Sequence, residues 1–398
     1  MAERLGLAHR VWRKVPAGPR RAALHALATA VAPHVDPNPP SSSQGVVIAG
    51  EMARISGLGE AVRLLHDGLK PLVRTLDSVE LGVLRRPDPA RLAGHGAMIL
   101  HVNAPSIPLM LARAPRDFLR GRRVIGMWNW ELERLPASWH GGKRYVHDIW
   151  VPSAFTKTAI EAIYPGMVRL VPYPLAALDL PPALPRRERF DLPAEAVVSV
   201  VIANLGASFA RKNPLGAIAA HRAAFGNRAD RILVIKLTGG AAFPTDMALL
   251  RGAVGGVGNI RVIDETWSGE MLRALLASSD ILVSLHRAEG FGLVPAEAML
   301  RGIATIATGW SGNLEFMDST SAALVDYRLT PVADPRGIYN RGVTVWAEPN
   351  IDHAAALLHD LAENPARRHA LAAAGQTFAR AALGAAPLAA ALAALGIS

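Results

Sequence analysis

Cysteine is absent from this 398-residue chain. That removes disulfides and thiolate metal sites and fits a reducing cytoplasm. An uninterrupted apolar span is also missing. Leu92 to Ala112 holds no Asp, Glu, Lys or Arg, but Gly94, His95, Gly96, His101, Asn103, Pro105 and Pro108 break it into a strand, a loop and a helix start. The amino end is basic, yet its apolar stretches are too short and interrupted for a signal peptide. Acidic residues are few, 33 against 43 Lys and Arg, for a formal net charge of +10. Nucleic acid is the usual partner of such a balance, but there is no zinc-ligand spacing, RNP motif or basic-aromatic repeat. An anionic membrane surface or a diphosphate-bearing substrate accounts for the charge as well. The G-x-G-x-x-G fingerprint is missing, and no D-x-D loop stands at a strand end. With 51% hydrophobic and 19% charged residues the chain is not disordered, and its length supports two domains with full cores.

What is present begins with an appendage. Residues 1–44 carry six basic residues (Arg4, Arg10, Arg13, Lys14, Arg20, Arg21) against Glu3 and Asp36. Leu5, Trp12 and Val15, then Leu24, Leu27 and Val31, recur at roughly helical spacing. Such a helix either rests on anionic lipid or packs on the domain with a solvated basic face. Pro37 to Gln44 reads as a linker. From Gly45 onward strands alternate with helices, the pattern of parallel α/β sheets. Strands are expected at 46–49, 79–84, 97–102, 124–127 and 149–151, with Ser153 capping a helix over 154–163. Leu180 to Arg187, rich in proline and charge, is the expected interdomain linker. A second series follows at 197–202, 232–237, 260–263, 281–285 and 303–307. Two doubly wound lobes in tandem, 45–187 and 188–375, imply a cleft at the C-terminal edges of the strands.

The richest stretch runs from His286 to Met299. It follows the apolar run Asp280 to Leu285, and Pro295 suits the first turn of the helix that ends near Gly302. Glu289 therefore lies in a Gly-rich loop after a strand, and Glu297 one turn into the next helix. Gly290 and Gly292 let backbone N–H groups face a ligand at a helix N-terminus. Two carboxylates with exposed amides suit a polyhydroxylated ligand carrying phosphates, a nucleotide sugar. Arg211-Lys212-Asn213-Pro214 adds positive charge before a helix, able to stabilise a leaving diphosphate. Thr308 to Asn313 is a further strand-end loop of small residues suited to phosphate oxygens.

The Glu289–Glu297 stretch resembles the E-x7-E signature of retaining GT-B glycosyltransferases of family four. The likeness continues through Thr308 to Met317 and Trp346 to Pro349, and covers about Gly45 to Pro349. It implies an α/β chain of two Rossmann-like, doubly wound parallel-sheet domains facing across a cleft, with a C-terminal helix over 376–398 returning to the first domain. It also implies that Glu297 holds the ribose hydroxyls and Glu289 a donor-sugar hydroxyl. Arg211 and Lys212, matching the family's R-K-N-P, neutralise the diphosphate without a metal or other cofactor. Relatives often carry another arginine where this chain has Asn204, Leu205 and Gly206, so Arg211, His286 and Arg287 would share that load. Gly290, Phe291, Gly292, Leu293, Ser311, Gly312 and Asn313 are donor-binding positions by the same likeness, and the backbone at Ile263 and Asp264, near Lys236, frames the base. Arg54 to Ala61 resembles the family's S-G-L-G-E loop, with Gly57 and Gly59 admitting diphosphate or acceptor. Where relatives have a histidine this chain has Trp128 or Asn129, and its task falls to His101 or Glu131. The tryptophans of Trp128 to Glu133 are either core or stacking platforms.

The resulting expectation is a retaining, metal-independent hexosyltransferase using a GDP- or UDP-sugar, with GDP-mannose suggested by similarity to bacterial exopolysaccharide mannosyltransferases. A sugar or lipid-linked glycan would be the acceptor, at the cytoplasmic face of the plasma membrane. The alternatives are a UDP-sugar enzyme, a nucleotide-sugar epimerase on the same fold, a two-lobed sugar-binding protein, and a basic nucleic-acid binder. A glycogen-type phosphorylase lacks its pyridoxal-lysine context here.

Overall fold

The computed structural model describes residues 15–41, 43–83, 85–178, 183–339 and 342–397. The expected helix around Leu5 and Trp12, and the centre of the linker at Pro181 and Pro182, lie outside the described residues. Fourteen strands are described: β1 Val46–Gly50, β2 Leu76–Glu80, β3 Ala97–His101, β4 Arg123–Met127, β5 Asp148–Val151, β6 Val168–Leu170, β7 Val197–Asn204, β8 Arg231–Thr238, β9 Ile260–Asp264, β10 Ile281–Ser284, β11 Ala304–Thr308, β12 Ala323–Val325, β13 Tyr327–Pro331 and β14 Val345–Pro349. They form a six-stranded sheet in the order β2-β1-β3-β4-β5-β6, a second in the order β12-β11-β10-β7-β8-β9, and the hairpin β13-β14. Pairing within the second sheet is parallel throughout, and the hairpin is antiparallel.

The parallel strands form because they are buried on both faces and apolar nearly throughout. Alternate residues of the second sheet feed two cores. Val201, Leu233, Ile235, Ile281 and Val283 meet the helices Pro214–Phe225, Pro244–Val254 and Ile351–Glu363. Val198, Val200, Ile232, Val234 and Leu282 meet Gly269–Ala277 and Leu293–Leu300. The order of strands reverses between β10 and β7, and in the first sheet between β1 and β3. At such points the loops after the two strands diverge and leave a crevice.

Two compact units are present. The first comprises residues 1–128, 137–150 and 390–398, the second 129–136 and 151–389. This differs from the division expected at 187/188. Residues 151–178 pack within the second unit: Ser153 Oγ donates to Gly290 O at 2.6 Å, Ala154 N donates to Glu315 Oε2 at 2.7 Å, and Tyr173 meets Phe291 ring to ring at 5.3 Å. Ser153 does cap its helix, Ala154–Glu161, accepting from Thr156 N. The tail from Ile351 is helical as expected, but the single helix expected over 376–398 is the end of Pro365–Ala382 followed by Ala386–Ala393. Its end joins the first unit, with Ser43 N donating to Gly396 O at 2.9 Å.

Two local readings need correction, and one left open between lipid contact and packing can be described. The second strand is Leu76–Glu80, displaced from 79–84, because Gly82 and the turn after Leu81 end pairing there. In the helix Ala17–Val31 the predicted stripe of Leu24, Leu27 and Val31 is exposed, at 45%, 64% and 56%, while Ala28 is buried. The short strands β12 to β14 have no counterpart in the expected series. Among the described residues, no helix is long and apolar enough to cross a membrane.

Candidate active site

The loops after β7 and β10 meet at the switch point of the second sheet. After β7, Ser208 (φ 75°) and Asn213 (φ 51°) bracket the single helical turn Phe209–Lys212. Ser208 Oγ accepts from Arg211 N, and Asn213 accepts from Gly216 N while donating to Leu285 O at 2.9 Å. Arg211 and Lys212 thus occupy their own turn ahead of the helix opened by Pro214, because the left-handed Asn213 interrupts the helical run. Sequence had placed them at that helix's N-terminus.

Both cations converge on Glu289. Arg211 Nη1 lies 3.0 Å from Glu289 Oε2, and Lys212 Nζ donates to Glu289 Oε1. Arg211 is fixed further by Ala288 O at 2.6 Å and Ala207 O at 3.1 Å, with its guanidinium over the Tyr339 ring. Burial alone would push Glu289 up, but Lys212 and Arg211 hold its carboxyl down to about 2. Burial pulls Lys212 below its usual value, and Arg211 adds to this while Glu289 opposes it. Burial works against the Arg211 charge as well, yet Tyr339, Glu289 and Glu131 together raise it. The carboxylate of Glu289 is therefore kept ionised, despite its burial, by the two cations that flank it.

Backbone geometry supports the carboxylate. Glu289 N donates to Ser311 Oγ at 2.9 Å, and Gly312 N donates to Glu289 O at 2.9 Å. A Cβ on Gly312 would stand 2.2 Å from Gly290 O, so the two loops can approach only with glycine there. Gly292 (φ 98°) opens the helix Leu293–Leu300, whose first-turn amides have no intrahelical acceptor. Asn313 and Ser311 brace this wall: Asn313 Nδ2 donates to Thr308 O at 3.0 Å.

Not every expected residue faces this cluster. His286 is fully buried; Nε2 pairs with Asn313 Oδ1 at 3.0 Å and Nδ1 with Ser284 Oγ at 3.0 Å. Burial pushes the ring down in pKa, so it is a neutral clamp between loops and no phosphate ligand. Arg287 is committed as well, bidentate on Glu348 at 2.6 and 2.9 Å. This gives the Trp346–Pro349 stretch a structural reason: β14 secures Arg287. Neither residue shares Arg211's load. The Phe291 side chain is core, against Tyr173 and Phe316, which leaves only its backbone for a ligand. Glu297 pairs with Arg301 through Oε1 at 3.0 and 2.9 Å and is partly exposed. Leu293 is half-buried at the start of the same helix. Ile263 lies in β9 opposite Lys236, whose ammonium is spent on Leu237 O, Glu265 O and the Trp267 ring.

His101, Gly57 and Gly59 belong to the first unit. His101 ends β3 opposite Gly50 of β1 and is buried, which lowers it to about 4, a neutral imidazole. Gly59 is required by packing, since a Cβ would meet Arg54 O at 2.0 Å, while Gly57 has open space. Trp128 is wholly buried against Trp139 and is core. Trp130 is also buried, with Nε1 donating to Arg134 O at 2.9 Å.

Two participants were not assigned from sequence. Glu131, considered only as a stand-in for a histidine, is pushed up by burial, with Arg211 and Lys212 opposing and Glu289 reinforcing the shift. Tyr339 offers its ring to the Arg211 guanidinium, 5.7 Å from the centroid. No local pattern marks either one; their partners lie far away in sequence.

Residues 213–345 match the family described as glycosyl transferases group 1. No curated protein matches the chain in sequence. Among solved structures, HepE of Anabaena with UDP and glucose is similar at a TM-score of 0.62 and 12% identity, over 88% of this chain and 98% of that one. Sucrose-phosphate synthase of Thermosynechococcus elongatus is similar at 0.61 and 14%, over 88% and 98%. WaaG, a glycosyltransferase of lipopolysaccharide biosynthesis, is similar at 0.56 and 13%, over 87% and 99%. The fold is GT-B, and within the second unit residues 213–345 match a glycosyl transferases group 1 domain.

Proposed function

We propose that the enzyme transfers a hexose from a nucleoside diphosphate sugar to a sugar or lipid-linked glycan, with retention of anomeric configuration and without a metal, in cell-surface polysaccharide synthesis. The observation that carries this reading is the buried Glu289 held by Arg211 and Lys212 beside the Gly290–Gly292 loop. The diphosphate would replace Glu289 on the two cations and meet the first-turn amides of Leu293 and Val294. Glu289, released from them, would accept a hydroxyl of the donor sugar, and Glu297 Oε2 the ribose hydroxyls. Stabilising the leaving diphosphate is the main catalytic task, as charge develops there in the transition state. In front-face transfer the leaving phosphate takes the acceptor's proton, so no protein nucleophile is required.

Two donors compete. Resemblance to bacterial exopolysaccharide mannosyltransferases favours GDP-mannose, and HepE's complex with UDP and glucose supports a uridine donor. The exposed Leu24, Leu27 and Val31 beside Arg21 support a peripheral contact with anionic lipid. A thermal-shift screen of UDP, GDP, ADP and their sugar conjugates tests the reading. UDP or GDP should raise the melting temperature, and Glu297→Ala should remove that shift. If neither nucleotide stabilises the protein, the donor assignment fails.

A further inference from the structure

The turn that carries the two cations cannot hold itself. Phe209–Lys212 is four residues long, too short for a self-supporting helix, and it is flanked at both ends by non-glycine residues with positive φ, Ser208 and Asn213. Arg211 and Lys212 also repel each other once Glu289 lets go of them. Another part of the fold has to fix this turn, and the β13-β14 hairpin reaches it from two sides.

At the base of the hairpin Arg287 is the tie. Its side chain is bidentate on Glu348 of β14 and its carbonyl accepts from Ala347 N at 2.9 Å. Its own N donates to Arg211 O at 2.7 Å, and Nη1 to Ala210 O at 2.5 Å. At the far end the loop winds around the buried Asp334. Oδ2 accepts from Ile338 N at 2.8 Å and Tyr339 N at 3.3 Å, and Oδ1 from Arg336 N at 3.3 Å. The loop then meets every third residue of the chain after β7. Arg336 donates to Leu205 O, Asp334 accepts from Ser208 Oγ at 3.4 Å, and the Tyr339 ring lies 5.7 Å from the Arg211 guanidinium carbon. Ser208 Oγ accepts in turn from Arg211 N at 3.2 Å. The loop is itself braced from a third element, since Arg336 pairs with Asp246 and lies 3.7 Å over the Phe243 ring. Tyr327 and Leu329 of β13 are exposed while Ser208 and Arg211 are buried, so the hairpin is the outer support and the turn the supported part.

We infer that the β13-β14 hairpin is a positioning device for the diphosphate site, with Asp334 and Tyr339 as its positioning residues. It keeps Arg211 and Lys212 converged on one point when the Glu289 carboxylate gives way to phosphate. The inference rests on the donor site proposed above. Cations held in this way need no rearrangement as charge builds on the leaving group. The share of nucleotide affinity that comes from the second phosphate therefore depends on the hairpin, and the remainder does not.

Calorimetric titration of UDP, UMP, GDP and GMP into the wild type, Asp334→Ala and Tyr339→Leu tests it. Whichever diphosphate the wild type binds should bind each variant about tenfold more weakly, while the matching monophosphate changes by less than about twofold. A residue that only maintained the fold would weaken both nucleotides alike. Tyr339→Leu leaves Asp334 and its loop in place, so it carries the same expectation should Asp334→Ala not fold. Undiminished diphosphate affinity in either folded variant, or a loss shared equally by the two nucleotides, overturns the proposal and leaves the donor site standing. Binding of neither diphosphate by the wild type overturns both.

Discussion

The switch points of the two sheets differ in how they keep their charges. After β1, Glu51 and Arg54 pair at 2.7 Å with side chains 25% and 55% exposed. After β7 and β10, Arg211 and Glu289 pair with side chains 4% and 8% exposed. A solvated pair contributes about 0–1 kcal/mol and moves freely. A buried pair is costly to assemble and is held in place by everything around it. The second unit therefore carries a rigid, preorganised electrostatic site. The first offers a neutral histidine and a loop shaped by a glycine. That contrast suits one unit dedicated to a diphosphate and another free to vary its ligand.

The largest expected effect sharpens this comparison. Lys212→Ala should lower the transfer rate by about 10²–10³-fold, the scale for losing one preorganised charge-stabilising group. Its counterpart at the exposed switch point, Arg54→Ala, should change stability by less than about 1 kcal/mol. Transfer kinetics and thermal melts of the two variants measure the difference. Glu289→Gln should cost about 3–5 kcal/mol, since it strands the buried Arg211 beside the half-buried Lys212, and denaturant melts would show this.

Glycines give the next comparison. Gly312→Ala drives a Cβ to 2.2 Å from Gly290 O, whereas Gly57→Ala meets nothing within 4 Å. The first should destabilise by about 1–3 kcal/mol and impair activity, and the second should be neutral within about 0.5 kcal/mol. Equal melting temperatures for the two variants would erase the distinction between a tightly apposed second site and an open first one.

The smallest effects lie in pH. His101 is lowered from 6.5 to about 4 when folded, so it contributes stability above 6.5 that is lost as pH falls towards 4. Glu289 is lowered from 4.5 to about 2, so its contribution is lost in a lower window, from 4.5 towards 2. Acid titration of the melting temperature should lose its upper step in His101→Gln and its lower step in Glu289→Gln.

Much of the second unit could be read in advance. Val197–Asn204, Arg231–Thr238 and Ile281–Ser284 are buried on both faces, so their apolar runs are conspicuous. Glu289, Arg211 and Lys212 were identified by motif, and the structure brings them together. Less legible was whatever depends on distant contacts. His286 and Arg287 look like phosphate ligands in sequence, yet Asn313 and Glu348 claim them. Phe291 sits inside the motif and is still core. Glu131 and Tyr339 carry no local signature, because the groups around them stand 50 or more positions away in sequence. The hairpin β13-β14 is partly exposed and polar, so it lacks the apolar run that marks a buried strand.

The central claim is that Arg211 and Lys212 receive a nucleoside diphosphate. Calorimetric titration of UDP and of GDP into the wild-type protein and into Lys212→Ala tests it most directly. One of the two nucleotides should bind the wild type, and its affinity should fall at least about tenfold in Lys212→Ala, the loss of a charge-assisted contact. Binding of neither nucleotide, or equal affinity in the variant, would contradict the account.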